Sequence, residues 1–174
     1  PLPKSLELVV INSGVTHHHA GGDYATRRRE SEEAARLLGV DRLRDAPADA
    51  LGRLATLPPT LARRARHVIT ENVRVLDAAR ALRTSDLLTL GRLFNASHAS
   101  MRDDYEVSVP EVDLLVEVAQ AHDEVYGARM TGGGFGGAVV IAASAGSGET
   151  VAADIAREYE SRTERTATVL VPLT

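Results

Sequence analysis

Short apolar runs and helically spaced apolar residues alternate along the chain and predict the order strand, helices, two strands, helix, strand. The first run, residues 6–11, is nearly continuous and rich in β-branched residues, which is typical of a strand covered on both faces. Residues 128–131 and 138–143 predict two further strands joined by glycines, and residues 166–171 predict the last. A long, largely helical segment therefore separates the first strand from the second.

Apolar residues spaced three and four apart predict two helices in the first half of the chain. One covers residues 23–38 and ends at Gly39, because glycine readily adopts the left-handed conformation that closes a helix. The other covers residues 61–82, and its apolar stripe consists of Leu61, Ala65, Val68, Asn72, Val75, Ala79 and Leu82.

Three further helices are predicted from the same spacing and from residues typical of helix starts. The first has its apolar side over residues 87–101, and we predict Thr84 or Ser85 as its N-cap. Residues 108–111 (Ser-Val-Pro-Glu) have the form of a capping box with proline in the first turn. The buried side of the helix that follows is predicted to hold Val112, Leu115, Ala119 and Tyr126. The last helix covers residues 151–159.

Strands that are segregated from a block of helices indicate an α+β fold. The order of elements fits a ferredoxin-like split β-α-β sandwich with extra helices inserted in the first crossover. We expect residues 1–174 to form one domain, because this length suffices for a hydrophobic core. Since the chain begins at Pro1 rather than at methionine, we also expect it to be part of a longer protein.

Composition narrows the class of protein. Hydrophobic residues make up 44% of the chain and charged residues 25%, which is typical of a folded rather than a disordered protein. The net charge is −4 and the basic residues are dispersed, which argues against nucleic acid or a membrane surface as a partner. No apolar run approaches the roughly 20 residues that span a bilayer. Without cysteine there is neither a disulfide nor a thiolate nucleophile, and we expect a cytoplasmic location.

The strongest chemical signal is the segment TGGGFGG at residues 131–137. Such a backbone can approach another group closely and present bare N–H donors, as anion-binding loops do. Its G-x-G-x-x-G spacing does not indicate a dinucleotide fold, because a strand rather than a helix follows it. A Walker A loop is excluded because no Gly-Lys-Ser/Thr is present. A glycine-rich hairpin turn is the alternative, but five glycines around Phe135 favour a ligand-facing loop.

Three segments together resemble the galactokinases, a family of GHMP sugar kinases. The sequence ARMTGGGFGG at residues 128–137 is similar to the third signature motif of the family. The sequence NSGVTH at residues 12–17, with Tyr24 and Arg27-Arg28 behind it, resembles the segment that opens the C-terminal domain. The stretch before the next long helix is matched by SHAS at 97–100, RDDYE at 102–106, Ser108 and PEVD at 110–113.

The resemblance implies transfer of the γ-phosphoryl group of ATP to the anomeric hydroxyl of galactose, with Mg²⁺. In this family the nucleotide-binding loop, a sugar-binding Glu-His-x-Asp segment and the aspartate beside the reacting hydroxyl belong to the N-terminal domain. The chain is therefore expected to hold no catalytic residue and to be inactive alone. Its implied role is to close the cleft over galactose and ATP, with its own N-terminal domain as partner and with ATP and Mg²⁺ bound mainly by that domain.

The same resemblance implies two sets of site residues. Tyr24 stands where the family has a tyrosine whose hydroxyl reaches the sugar, and its alternative is a half-buried tyrosine at a helix start. Gly132, Gly133, Gly134 and Gly136 would face the phosphates and the loop of the partner domain.

Other polar clusters carry weaker signals. Residues 17–19 (His-His-His) suggest a metal site, but adjacent residues of an extended chain point in alternate directions, so we expect no metal ligands here. Residues 27–29 (Arg-Arg-Arg) spread around a helix, which indicates a solvated face with salt bridges. His98 lies on an apolar side and is predicted to be a hydrogen-bonded core histidine.

Two alternatives to a galactokinase remain open from the sequence. One is a related GHMP kinase for a different sugar, because His18 and His19 replace less polar residues of the family. The other is a catalytically silent ligand-sensing or interaction module with the same fold.

Overall fold

A four-stranded antiparallel sheet organises the fold, and the computed structural model describes residues 2–16 and 20–170 around it. The strands are β1 (Leu6–Asn12), β2 (Val125–Thr131), β3 (Ala138–Ser144) and β4 (Thr168–Leu170). Their order across the sheet is β2-β3-β1-β4. This arrangement confirms the predicted ferredoxin-like split β-α-β topology, in which β3 lies beside β1.

The helices are α1 (Ala20–Leu38), α2 (Pro59–Thr84), α3 (Leu87–Asp103), α4 (Pro110–Gln120) and α5 (Gly148–Arg162). Two 3₁₀ helices, Leu43–Asp45 and Ala48–Thr56, lie between α1 and α2. Helices α1 to α4 all occupy the connection from β1 to β2, as predicted for the first crossover. Within the described ranges no helix combines the length and the apolar character that crossing a membrane requires.

Strand β1 lies between β3 and β4 and is covered on both faces, which confirms the prediction from its continuous apolar run. Val9 and Ile11 belong to the main core, which also contains the buried sides of α4 and α5. Leu6 and Leu8 face the other way and pack with residues of α2 and α3. Each face of β1 therefore contacts its own helical layer.

Helices α1 and α2 share a second core with the 3₁₀ helices, and this core fixes the position of α1. Its buried members are Ala34, Ala35, Leu38, Leu43, Ala50, Leu54, Leu57, Ala62, Ala65 and Ile69. The apolar stripe predicted for α2 is wrong at Val75, whose side chain is exposed. Helix α2 is longer than the part that packs against α1, so the residues after Ile69 do not belong to this core.

Two predicted helix starts are wrong. The N-cap of α3 is Asp86, whose Oδ1 accepts a hydrogen bond from the N–H of Thr89 at 3.0 Å. Ser85 instead ends α2 in the left-handed conformation, with φ of 55°, and its N–H donates to Leu82. Because Ser85 closes one helix, the capping acceptor of the next must come from the residue that follows.

The capping box predicted before α4 is also absent. The N-cap is Val109, which makes no side-chain cap, and the hydroxyl of Ser108 donates to Asp113 at 2.5 Å. The helix ends at Gln120, so Tyr126 lies in β2 and not on the buried side of α4. The predicted helical spacing therefore extended too far, because a turn separates the end of α4 from the start of β2.

Candidate functional site

The glycine loop, residues 132–137, joins β2 to β3. Backbone φ is positive at Gly132, Gly134, Gly136 and Gly137, and also at Phe135, where it is 60°. A residue with a side chain adopts such a conformation at a cost of roughly 1–2 kcal/mol. The loop is thus longer and more strained than a two-residue hairpin turn requires.

Two neighbouring segments hold the glycine loop by backbone hydrogen bonds. On one side the N–H of Phe135 donates to the carbonyl oxygen of Val107 at 2.6 Å. On the other side the N–H of Gly137 donates to the carbonyl oxygen of Val15 at 3.2 Å. The loop is therefore fixed between the chain that leaves β1 and the turn between α3 and α4.

The segment after β1 is in turn held by α5. The backbone N–H and the hydroxyl of Ser13 both donate to the carbonyl oxygen of Gly137, at 2.9 and 2.7 Å. The buried hydroxyl of Tyr159 donates to the carbonyl oxygen of Ser13 at 2.8 Å. Tyr159 thereby connects the last helix to the support of the glycine loop.

The four glycines predicted to face the phosphates fall into two pairs. A Cβ atom on Gly134 would lie 2.7 Å from both Cβ and the carbonyl oxygen of Val107. A Cβ atom on Gly136 would lie 2.6 Å from the carbonyl oxygen of Val15. Gly132 and Gly133 are exposed, and a Cβ atom on either would meet nothing within 4 Å. The loop therefore has a packed inner half and an open outer half.

A buried arginine on α2 organises the turn that carries Val107. The guanidinium of Arg64, only 1% exposed, donates to a carboxylate oxygen of Glu30 at 2.7 Å and to the carbonyl oxygen of Asp104 at 2.6 Å. A third N–H donates to the carboxylate of Glu106. Arg64 thus joins α1, α2 and the turn at residues 104–107, and the sequence pattern gave no signal for it.

Arg27 on α1 points inward, contrary to the solvated face predicted for residues 27–29. Its side chain is 17% exposed, whereas that of Arg28 is 72% exposed and pairs with Glu32 as predicted. The guanidinium carbon of Arg27 lies 6.0 Å from the ring centroid of Phe135. Arg27 points inward because it precedes Ala34 by two helical turns, on the side of α1 where Ala34 is fully buried.

Tyr24 lies near the start of α1 and is exposed, so the alternative of a half-buried tyrosine does not describe it. Its ring borders a cavity of about 210 Å³ between α1 and α2, which is also lined by Arg28, Glu32, Arg42, Val68 and Tyr105. Tyr105 stacks on His67 with ring centroids 4.5 Å apart. Burial lowers the pKa of His67 to about 4, so that this ring is neutral at neutral pH.

The histidines have different outcomes. His98 is buried, and its Nδ1 accepts a hydrogen bond from the backbone N–H of Met130 at 3.4 Å, which confirms a core histidine. Residues 17–19 lie outside the described residues, so the expectation that they bind no metal stays a prediction. Within the described ranges, no group of three or more His, Cys, Asp or Glu side chains could hold a metal ion.

Known proteins match this chain closely. Residues 78–161 match a family model described as GHMP kinases C terminal. A galactokinase of Haemophilus influenzae is 48% identical over 168 aligned positions, and the alignment covers 94% of this chain and 44% of that protein. A galactokinase of Roseiflexus sp. is 45% identical over 177 aligned positions, and the alignment covers 98% of this chain and 45% of that protein. The chain therefore spans less than half the length of these curated relatives.

Solved structures give the same result for the fold. The crystal structure of Lactococcus lactis galactokinase complexed with galactose superimposes with a TM-score of 0.91 at 31% identity, over 98% of this chain and 46% of that chain. Mevalonate kinase of L. major, in complex with R-mevalonate, superimposes with a TM-score of 0.58 at 21% identity and shares the fold alone.

Proposed function

We propose that the chain is the C-terminal domain of a galactokinase, because residues 78–161 match the family model described as GHMP kinases C terminal and the curated relatives are galactokinases. The observation that carries the proposal is the glycine loop, whose outer half is open while its inner half is packed against the domain. The full-length enzyme would transfer the γ-phosphoryl group of ATP to the anomeric hydroxyl of galactose in the cytoplasm. This chain would close the cleft over both substrates.

Catalysis of phosphoryl transfer depends on positioning and charge neutralisation. The groups that carry it can therefore be distributed over two domains, one that binds the substrates and one that closes over them. The N-terminal half would supply the nucleotide-binding loop, the sugar-binding carboxylate and the aspartate beside the reacting hydroxyl. Mg²⁺ would be held by the N-terminal half, as the resemblance to galactokinases implies.

Phosphate contact would come from Gly132 and Gly133. Both are exposed, and neither N–H donates to any acceptor in the turn, loop and side-chain hydrogen bonds of the described residues. Backbone N–H groups that are already oriented before the substrate binds stabilise the charge that develops on the phosphate, because no free energy is spent on reorienting them. Gly134 and Gly136 would serve the same site indirectly, because only glycine lets the loop lie against Val107 and Val15.

A matched pair of glycine substitutions tests this division of the loop. Gly133→Ala adds a methyl group in open space at a backbone angle that alanine tolerates, so the fold should keep its stability. In the full-length enzyme we expect the rate to fall more than tenfold, or above about 1.4 kcal/mol in barrier, because the methyl group blocks phosphate approach.

Gly134→Ala is the control for a structural effect. The new Cβ atom would collide with Val107 at a φ of 86°, and we expect a loss of about 2–4 kcal/mol in unfolding free energy. Turnover per folded molecule and melting temperature should be measured on the same preparations. Normal turnover by Gly133→Ala would contradict phosphate contact by the loop and would indicate a structural glycine-rich turn.

Tyr24→Phe tests the sugar contact. A phenol hydroxyl both donates to and accepts from a sugar hydroxyl, so its removal should weaken galactose use by roughly 1–2 kcal/mol. The loss should appear in the KM for galactose, while the KM for ATP stays nearly unchanged. Tyr126→Phe, on half-buried Tyr126 of β2, serves as the control. A change in ATP affinity instead of galactose affinity would contradict the assignment of Tyr24.

A further inference from the structure

One strained residue lies in the glycine loop and another in the turn to which the loop is hydrogen-bonded. Among the described residues only Ser85, Glu106 and Phe135 have a side chain and a positive φ, and the last two have φ of 54° and 60°. Glu106 precedes Val107, whose carbonyl oxygen accepts the N–H of Phe135. Strain of this kind persists only where the surroundings hold the backbone, and it concentrates at functional sites.

The side chain of Arg27 contacts both Glu106 and Phe135. Its Nε and Nη2 both donate to the carbonyl oxygen of Glu106, at 3.3 and 3.1 Å. Its guanidinium lies over the ring of Phe135, at a distance typical of a cation–π contact. Its Nη1 donates to Glu30 at 3.2 Å, which orients the guanidinium plane.

We propose that Arg27 is a positioning residue that holds the glycine loop in the conformation in which Gly132 and Gly133 face phosphate. The proposal rests on the function proposed above. Arg27 lies one helical turn after Tyr24, so the same helix would carry the sugar contact and the group that sets the phosphate contact. Arg27 would act through the loop, since its guanidinium N–H groups donate to Glu106 and Glu30.

The chemistry of the contact requires arginine. A guanidinium is a planar fork that donates two N–H groups to one carbonyl oxygen, a third to a carboxylate, and still presents a face to an aromatic ring. A lysine ammonium keeps the charge but is a point donor, so it cannot make these contacts together. Arg27→Lys therefore keeps the positive charge but loses the planar guanidinium that makes the contacts to Glu106, Glu30 and Phe135 together.

The experiment compares Arg27→Lys with Arg28→Lys in the full-length protein. Arg28 is the matched control, because it is the next residue of the same helix and makes an exposed pair with Glu32. Backbone hydrogen exchange is measured without substrates on peptides that cover residues 131–137. We expect exchange in this segment to be about tenfold faster in Arg27→Lys, and unchanged in Arg28→Lys.

Steady-state kinetics supply the second readout. Arg27→Lys should lower kcat and raise the KM for ATP, each about fivefold or more, and leave the KM for galactose within about twofold. A purely structural role would lower the melting temperature and the folded fraction while kcat per folded molecule and both KM values stayed unchanged. That result, or equal loop exchange in the two lysine variants, overturns the proposal.

A second variant, Phe135→Leu, tests the same contact from the side of the loop. If Arg27→Lys does not fold, Phe135→Leu removes the aromatic partner from the loop side and should give the same faster loop exchange; unchanged exchange overturns the proposal. If the wild-type enzyme phosphorylates no galactose, the proposed function fails. The substrate-free exchange comparison still decides whether Arg27 holds the loop.

Discussion

Replacing Arg64 by methionine is expected to lower the free energy of unfolding by about 3 kcal/mol, because it leaves partly buried carboxylates without their partner. Removal of one member of a buried ion pair costs about 3–5 kcal/mol. The lower end applies here since the side chains of Glu30 and Glu106 remain 23% and 41% exposed. Urea unfolding of the chain, followed by circular dichroism, gives the difference.

The control for Arg64→Met is Arg66→Met on the same helix. The side chain of Arg66 is 50% exposed and contacts Asp104 at 3.2 Å, so its loss should change stability by less than about 1 kcal/mol. Equal effects of the two substitutions would show that the buried arginine does not hold the 104–107 turn.

The Arg64 contribution should also depend on pH. The pKa of Glu106 lies below its ordinary value because Arg64 donates a hydrogen bond to the carboxylate, and the charges of Arg64, Arg63 and Arg27 add to the effect. A lowered carboxyl pKa stabilises the fold at pH above the unfolded value of about 4.3, and this stabilisation is lost as pH falls through the folded value. The difference between wild type and Arg64→Met should therefore shrink below about pH 4.

On its own, the chain of 174 residues is expected to transfer no phosphoryl group to galactose above background. The chain spans 44% of the Haemophilus galactokinase, and the resemblance assigns the nucleotide-binding loop and the aspartate beside the reacting hydroxyl to the other half. A loop that only closes over the phosphates cannot align the attacking hydroxyl or neutralise the leaving group.

This expectation is tested with protein made in a host that lacks its own galactokinase. Labelled ATP and galactose are incubated with the chain, and the same assay is run on the full-length enzyme as a positive control. Turnover that persists through purification and that is reduced by Tyr24→Phe would assign catalysis to this half and contradict the proposed division.

The fold could be predicted from the sequence where apolar spacing alone determines structure. The continuous run at residues 6–11 indicated a strand with two covered faces, and Leu6 and Val9 indeed face different helical layers. Helix starts were harder to predict, because Ser85 and Asp86 both carry cap-forming side chains. Which of them caps α3 depends on the backbone conformation in which α2 ends.

The candidate site was predictable only in its outline. A glycine-rich loop is visible in the sequence, but the difference between Gly133 and Gly134 depends on Val107, which is distant in the chain. The inward position of Arg27 and the burial of Arg64 were missed for the same reason. Charged residues are expected at the surface, and only tertiary contacts reveal that carboxylates surround these two.

The supports of the glycine loop have a consequence for the order in which the protein acquires its site during synthesis. Ser13 is 124 residues from Gly137 and 146 residues from Tyr159, and it bonds to both. Helices that are near in the chain, such as α1 and α2, can pack early during synthesis. Strand β1 cannot form its hydrogen bonds to β3 until β3 has been synthesised. Contacts of such high sequence separation form slowly because a long loop has to close first. Strand β1 is thus synthesised before β2 and β3 but is paired only after both have emerged, and the Ser13 segment beside the glycine loop is fixed by Tyr159 only when α5 has left the ribosome.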